Sequence, residues 1–399
     1  MTLGGALDNP AAWLPQVDDP EPVVAPGHAD IGRGPGISLR PDWSKAGCER
    51  RSACCNIHMR ADRLRSLQAV LEETNDRLNL DEDAGAKVWP SGFGALDAAL
   101  AGGFRSGELA LLGGAPGLGK TTFALQVARN LVTSDHSVVY FSFEHDNQSL
   151  LERLIVLEAA EIAGAGAVRL PQVRRAFNGQ QSSDRMMAGR LDGTEGGPEA
   201  VQALQGYAEL LHLHRSSGAE TNVETMREVI GSIGERTGQR VFVIVDYLQK
   251  VQAAAPSADL RQSVHLSEED RITEVVEGLK DMSLDLAVPV LALVAVDKSG
   301  LAAVRTRVQD LRGSSALAHE ADVVLILNNK FDVVARHHLM FNQSAAELFH
   351  HWVVMSIEKN RNGVDDIDLE FRKRFEHFRF DSEGGRVEEE LIDGRIYVE

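Results

Sequence analysis

Residues 114–122, "GAPGLGKTT", decide how the rest of the chain is read. They fit G-x-x-x-x-G-K-[ST] from Gly114 to Thr121, between a β-rich apolar run, "ELALLGG", and a helical one, "TFALQVARN". That context is the one in which the pattern forms a phosphate-binding loop. Gly114, Gly117 and Gly119, with Ala115, Pro116 and Leu118 between them, let the backbone curl so that N–H groups and the following helix N-terminus face phosphates. Lys120 is placed to reach the β- and γ-phosphates, Thr121 to ligate Mg²⁺, and Thr122 to complete the candidate nucleotide-binding segment.

Working outward, "SVVYFSFE", "VFVIVDYLQ", "VPVLALVAV", "ADVVLILNN" and "WVVMSIEKN" are further apolar, β-rich runs, almost continuous in hydrophobicity. Strands buried on both faces read this way, so the expected fold is α/β, a mostly parallel sheet flanked by helices. "RITEVVEGLKDMSLDL" places Ile272, Val275, Val276, Leu279, Met282 and Leu286 on one helical face, as a crossover helix requires. "DIDLEF" and "FEHFRF" are expected as short antiparallel strands near the C-terminus. Asp246 follows four aliphatic residues among the preceding five and emerges at a strand's C-terminal end, where open α/β sheets place ligands. It is the candidate acid of the metal site, and Glu144, ending the neighbouring run, is the candidate general base. Lys359 and Arg361 in "EKNRNG" end the last long run, and on residue type alone they fit a solvated strand end as well as a functional pair.

The remaining features set limits. A chain of 399 residues with 43% hydrophobic and 25% charged residues has the profile of a globular protein. No run approaches 18 apolar residues and no signal peptide is legible, so a cytoplasmic location without a membrane partner is expected. The net charge of −18 argues against a simple nucleic-acid coat protein, so any DNA contact is expected to be local. Seven of the 13 prolines lie between Pro10 and Pro41, so residues 1–58 are expected to lack a fold, and Met59 is a candidate translational start. Cys48, Cys54, Cys55 and His58 are poorly spaced for tetrahedral zinc and are read as reduced thiols and a histidine. Across 59–86, Leu64, Leu67, Leu71 and Leu78 form one narrow apolar stripe, a linker helix that packs on its own domain or on a neighbouring subunit.

"SGFGALDAALAGGFRSGELALLGGAPGLGKTTFALQVARN", "YFSFE", "VDYLQ", "LRGSSALAHEADVVLIL" and "EKNRNG", in that order and spacing from about Lys87 to Phe380, resemble the ATPase domain of DnaB-type replicative helicases. The resemblance implies a RecA-like P-loop NTPase core over residues 87–399, with short antiparallel strands at the C-terminus. It implies ATP and Mg²⁺, with Lys120 and Thr121 on phosphate and metal, Asp246 as the Walker B acid, Glu144 as the catalytic glutamate and Gln249 closing the Walker B motif at the nucleotide. It also implies a homo-oligomer, a hexameric ring, in which Lys359 and Arg361 reach across to the neighbour's γ-phosphate. Arg312, Gly313 and Ser314 correspond to a channel loop that holds single-stranded DNA.

Departures from the family pattern accompany these matches. No counterpart of the usual N-terminal helical domain is expected ahead of the linker, and "VAVDK" places Ala295 where a glutamine couples phosphate state to DNA. The channel loop reads Gly-Ser-Ser for Glu-Ser-Gly, "ARHHLMFNQSAAELFHH" is longer than the corresponding turn, and Val364-Asp365 replaces a proline. "FRKRF", with its cations at Arg372–Arg374, reads as a strand edge. The leading expectation is an ATP-driven motor that translocates on or unwinds single-stranded DNA. The alternatives are a regulatory ATPase of the KaiC kind acting on protein partners and an ATP-dependent DNA-binding or assembly module without unwinding.

Overall fold

The computed structural model describes residues 64–80, 84–178, 186–253, 267–335, 337–338 and 347–393. The expected unfolded segment 1–58, with the Cys48–His58 cluster and Met59, lies outside them. The chain divides into two units, Met1–Glu72 and Glu73–Glu399. Within the expected linker 59–86, Leu67–Asn79 is a helix with no buried residue. Leu67, Leu71 and Leu78 of its apolar stripe are all at least half exposed.

In the second unit, β1 (Val88–Trp89) and β2 (Phe104–Arg105) form a small antiparallel pair. The other strands, β3 (Leu109–Gly114), β4 (Val138–Ser142), β5 (Leu211–Arg215), β6 (Phe242–Asp246), β7 (Val290–Leu293), β8 (Val323–Asn329), β9 (Trp352–Asn360), β10 (Ile367–Arg374), β11 (Arg379–Phe380) and β12 (Gly385–Arg386), make one sheet. Its order is β11-β10-β9-β8-β3-β7-β6-β4-β5, with β12 on β10. Strands β3 to β8 pair in parallel, whereas β9 to β12 add antiparallel.

Side-chain alternation explains why the central strands are apolar throughout. Leu112, Tyr140, Ile244 and Leu291 enter one core, with Phe123, Leu125 and Val127 of the Lys120–Val132 helix. Their chain neighbours Leu111, Phe141, Val245 and Ala292 enter the other, with Ile272, Val275, Val276, Leu279 and Met282 of the Glu268–Leu286 helix. Both faces are thus covered, and each buried Leu or Ile contributes about 1.5–3 kcal/mol. That crossover helix starts where expected: Ser267 Oγ accepts from the Asp270 amide at 3.1 Å while Asp270 accepts from the Ser267 amide at 3.3 Å. Leu286, expected on its buried face, is only partly covered at the C-terminus.

Two strand readings change. "LHLHR", β5, was not legible as a strand, because a sheet edge leaves its residues half exposed and admits histidines. "FEHFRF" is a single turn, Phe375–His377, followed by the two-residue β11, since Phe378 adopts φ 50° and turns the chain back.

Candidate nucleotide site

The Gly114–Thr121 loop leaves the carboxyl end of β3, and its glycines take left-handed conformations, φ 141° at Gly114, 83° at Gly117 and 92° at Gly119. At Gly119 the requirement is double, since a Cβ there would lie 2.7 Å from ring atoms of Phe375 and Phe380. The C-terminal turn therefore closes directly over the loop. Lys120 and Thr121 open the helix, and the Lys120 ammonium donates to the carbonyls of Gly114 at 2.6 Å and Ala115 at 3.1 Å. It is held where phosphate oxygens would replace those carbonyls. Leu118 instead packs against the core.

Strands β4 and β6 are neighbours, and their carboxyl ends bring acidic groups to the same place. Asp246 is 2% exposed, and the hydroxyls of Tyr140, at 2.7 Å, and of Thr121 donate to it. Burial pushes its carboxyl above the usual carboxylate range despite those hydrogen bonds and the charge of Lys120. Burial likewise pulls the Lys120 ammonium below its ordinary value, opposed by Asp246 and Glu144. The Thr121 hydroxyl beside a buried, desolvated carboxylate fits a hard divalent cation such as Mg²⁺.

Pro116, Gly117, Gly119, Lys120, Thr121 and Thr122 line a cleft of about 550 Å³. Glu144, Arg153, Asp246, Tyr247, Ala295, Phe375 and Phe378 line it as well. A larger cavity of about 640 Å³ lies elsewhere and is lined by Glu224, Glu228, Glu274 and Asp281, a charge wrong for phosphates.

Gln249 does not line the cleft. It is 6% exposed; its amide nitrogen donates to the carbonyls of Ala295 and Arg312, both at 3.3 Å, and its oxygen accepts from the Ala295 amide at 3.1 Å. The residue expected at the nucleotide thus ties the cleft wall to the candidate DNA loop. In that loop Arg312 is half exposed and ion-paired to Glu268, Gly313 turns the chain at φ 85°, and Ser314 begins the helix Ser314–Glu320. A Cβ on Gly313 would meet Ile272 at 2.7 Å. In the second basic cluster, expected at a strand edge, Lys373 donates to Asn329 and Arg374 pairs with Asp381, but β10 is flanked by β9 on one side and by β11 and β12 on the other.

Lys359 and Arg361 lie apart from the cleft. Asn360 is level with Val323 on β8, and Val323 with Ala110 on β3, whereas the loop begins at Gly114, level with Leu327. The pair occupies the opposite end of the strands, about 13 Å away along β3 at roughly 3.3 Å per residue, with two strand spacings of about 5 Å besides. There the Lys359 ammonium donates to the Ala318 and His319 carbonyls, and Arg361 to the His319 carbonyl at 2.6 Å and to Asp322 at 3.2 Å. Burial first, then Arg361, lowers the affinity of Lys359 for its proton. Arg361 remains 47% exposed.

Residues that carried no sequence signal complete this picture. Tyr140 lay inside an apolar run, Arg153 on an ordinary helix, and Asp322, which anchors Leu109, Lys280 and Arg361 together, ahead of a strand. Long-range packing alone makes them neighbours.

A glycine loop opening a helix at a strand end, with Lys120, Thr121, Asp246 and Glu144 around one cleft of a mostly parallel sheet, defines a P-loop nucleotide-binding protein with a RecA-like core. The chain belongs to the DnaB-like helicase C terminal domain family, whose model matches residues 89–380. It is 25% identical over 332 residues to the replicative DNA helicase DnaC of Bacillus subtilis (strain 168), covering 80% of this chain and 64% of that one. It is 28% identical over 319 residues to the replicative DNA helicase DnaB of Pasteurella multocida (strain Pm70), covering 78% and 60%. The chain thus spans less than two thirds of these relatives' length. Its fold resembles a solved ATPase domain (TM-score 0.59, 22% identity, 79% of this chain and 98% of that one). It also resembles a DnaB-like replicative helicase studied for its interactions with primase (TM-score 0.58, 20% identity, 82% and 70%). The matched span agrees with the Lys87–Phe380 expected from the motifs, and the family is the helicase one rather than the KaiC kind.

Proposed function

We propose that this chain is a Mg²⁺-dependent ATPase that assembles into a homo-oligomeric ring, hexameric by analogy with its family, and uses ATP to translocate on or unwind single-stranded DNA. The observation that carries the reading is the division of the machinery between two ends of one sheet. Lys120, Thr121, Glu144 and Asp246 share a cleft, whereas Lys359 and Arg361 face outward at the far end. A complete site then needs a second copy.

Each residue has a task its surroundings support. Lys120 exchanges its two carbonyl partners for phosphate oxygens and neutralises charge there. Glu144, exposed at the cleft, accepts the proton of the attacking water. The Thr121 hydroxyl and the Asp246 carboxylate would hold Mg²⁺, which would supply positive charge to the phosphates. Arg361 of a neighbour supplies the finger, which in this reaction class contributes about 10³–10⁵ in rate, with Lys359 beside it. The exposed stripe of Leu67–Asn79 is the means of holding that neighbour. Arg312 leaves Glu268 to meet a DNA phosphate, Gly313 and Ser314 bring backbone N–H groups alongside, and the Gln249 amide transmits displacement of the cleft wall to this loop. Among the described residues no helix is long and apolar enough to cross a membrane, and a cytoplasmic site of action fits.

A second reading has its own observation: Ala295 brings only a methyl group to the cleft wall, where a glutamine would sense phosphate. An ATP-dependent DNA-binding module without unwinding fits that substitution. The test is steady-state ATP hydrolysis against protein concentration, with and without single-stranded DNA, using Glu144→Gln as the blank. The motor reading expects hydrolysis to rise faster than linearly with protein and at least severalfold with DNA, with strand displacement of a forked duplex following. DNA stimulation without displacement selects the binding module, and indifference to DNA overturns both.

A further inference from the structure

The loop read as the DNA contact and the two cations read as the neighbour's finger meet on one short element, the helix Ser314–Glu320. Gly313, at φ 85°, turns the chain into its first residue, so the loop 312–314 runs straight into the helix N-terminus. The other end carries Lys359 and Arg361. The last carbonyls of a helix have no partner within it, and here two of them accept from those cations. Ala318 accepts from Lys359 at 2.6 Å, and His319 from Lys359 at 3.1 Å and from Arg361 at 2.6 Å. Positive charge at that end also complements the helix dipole. Seven residues at about 1.5 Å each put roughly 10 Å between the loop and the cations. Leu317, buried in the core it shares with Ile272, seats the helix, while Ser315 and His319 are exposed. Arg361 has a second hold: its guanidinium donates to Asp322 at 3.2 Å, and Asp322 is itself fixed by the Leu109 amide at 2.8 Å and by Lys280 at 2.7 Å. The guanidinium thus spans a helix end and a carboxylate anchored to the sheet, so displacement of the helix against the sheet re-aims it. Because the acceptors on the helix are backbone carbonyls, no side chain there can swing away to absorb the movement.

We infer that the Ser314–Glu320 helix is the positioning element for Lys359 and Arg361, carrying the state of the loop 312–314 to the cations that one chain lends its neighbour. DNA on one chain's loop then governs hydrolysis in the neighbour's cleft rather than in its own. This rests on the loop holding DNA and on the pair acting across a subunit boundary, as proposed above. The test separates the chain that lends the finger from the chain that holds ATP. Lys120→Ala protein supplies sound fingers and Arg361→Ala protein sound clefts, so mixed assemblies hydrolyse ATP where the first lends to the second. Arg312→Ala is then added to one partner or to the other, which keeps the number of altered loops the same in both mixtures, and hydrolysis is followed with and without saturating single-stranded DNA. Placed on the Arg361→Ala partner, it should leave DNA stimulation within about twofold of the parent mixture; placed on the Lys120→Ala partner, it should cut stimulation at least about fivefold. Equal losses, or the larger loss on the chain that holds ATP, overturn the inference. Ala316→Gly, at a half-buried position of the helix, is the second variant, since it loosens the helix without altering the loop or the cations. In otherwise unaltered protein it should change hydrolysis without DNA, and affinity for single-stranded DNA, by less than about twofold while lowering DNA stimulation at least about threefold. A uniform loss of all three marks a merely structural helix and overturns the inference as well. Absence of DNA stimulation in the unaltered protein, or of hydrolysis in the parent mixture, would overturn the proposed function beneath it, a result distinct from equal losses.

Discussion

Asp246 combines a charge with almost complete burial, and its raised proton affinity shows that the ligand-free fold tolerates this carboxylate rather than gains from it. A carboxyl that binds its proton more tightly folded than unfolded makes stability fall as pH rises from the ordinary carboxylate value through the raised one. At neutral pH, above the ordinary carboxylate value, that cost is felt. Asp246→Asn should therefore raise the thermal transition of nucleotide-free protein at pH 7, by on the order of 2 °C for a domain of this size, while abolishing Mg²⁺-dependent nucleotide affinity. The gain should shrink as the buffer is brought down toward pH 4; scanning calorimetry at a series of pH values reads this, and a pH-independent or negative difference would contradict it. Lys120, Thr121 and Asp246 were legible in the sequence because a loop motif and a strand end mark them locally. Tyr140 and Arg153 were not, since an aromatic inside a strand and an arginine on a helix look the same whether they face a core, solvent or a cleft.

At the scale of elements, the loop 312–313 is more tightly built than its Gly-Ser-Ser composition indicates. Gly313 combines φ 85° with a close approach to Ile272 of the crossover helix, and the carbonyl beside it accepts from Gln249. Gly313→Ala should destabilise the fold by about 2–4 kcal/mol, from left-handed backbone strain together with overpacking. Ile272→Ala in the same chain should couple favourably to it, since it removes the Cγ2 that a Cβ on Gly313 would meet at 2.7 Å without relieving the backbone. Thermal denaturation of the two single variants and the double variant gives the coupling, and strictly additive effects would show that the contact does not matter. The central parallel strands were legible because burial on both faces demands unbroken apolar runs. The edge strand β5 and the Phe375–His377 turn were not: edge strands admit polar residues, and a non-glycine residue at positive φ leaves no sequence mark. Gln249 was legible as part of a motif but not in its contacts, which depend on where β7 and the Arg312 loop pass.

At the scale of the molecule, the groups we assign to the chemistry lie in one chain but not in one place. The cleft opens at the carboxyl ends of the parallel strands. Lys359 and Arg361 rest at the amino ends on helix carbonyls and Asp322, far from the cleft of the same chain. Head-to-tail repetition is the arrangement that brings one end to the other, and closed heterologous contacts of this kind make rings. The sequence marked both groups of residues; the strand register shows that they lie at opposite ends of the sheet. The most direct test mixes two inactive proteins, Lys120→Ala with a sound finger and Arg361→Ala with a sound loop, and follows ATP hydrolysis while energy transfer between labelled chains reports co-assembly. Random mixing in a ring makes about one interface in four competent, so the account predicts recovery of roughly a quarter of the unaltered rate from partners each nearly inactive alone. No recovery in proven mixed assemblies, or full activity of Arg361→Ala by itself, would contradict a nucleotide site shared between neighbours.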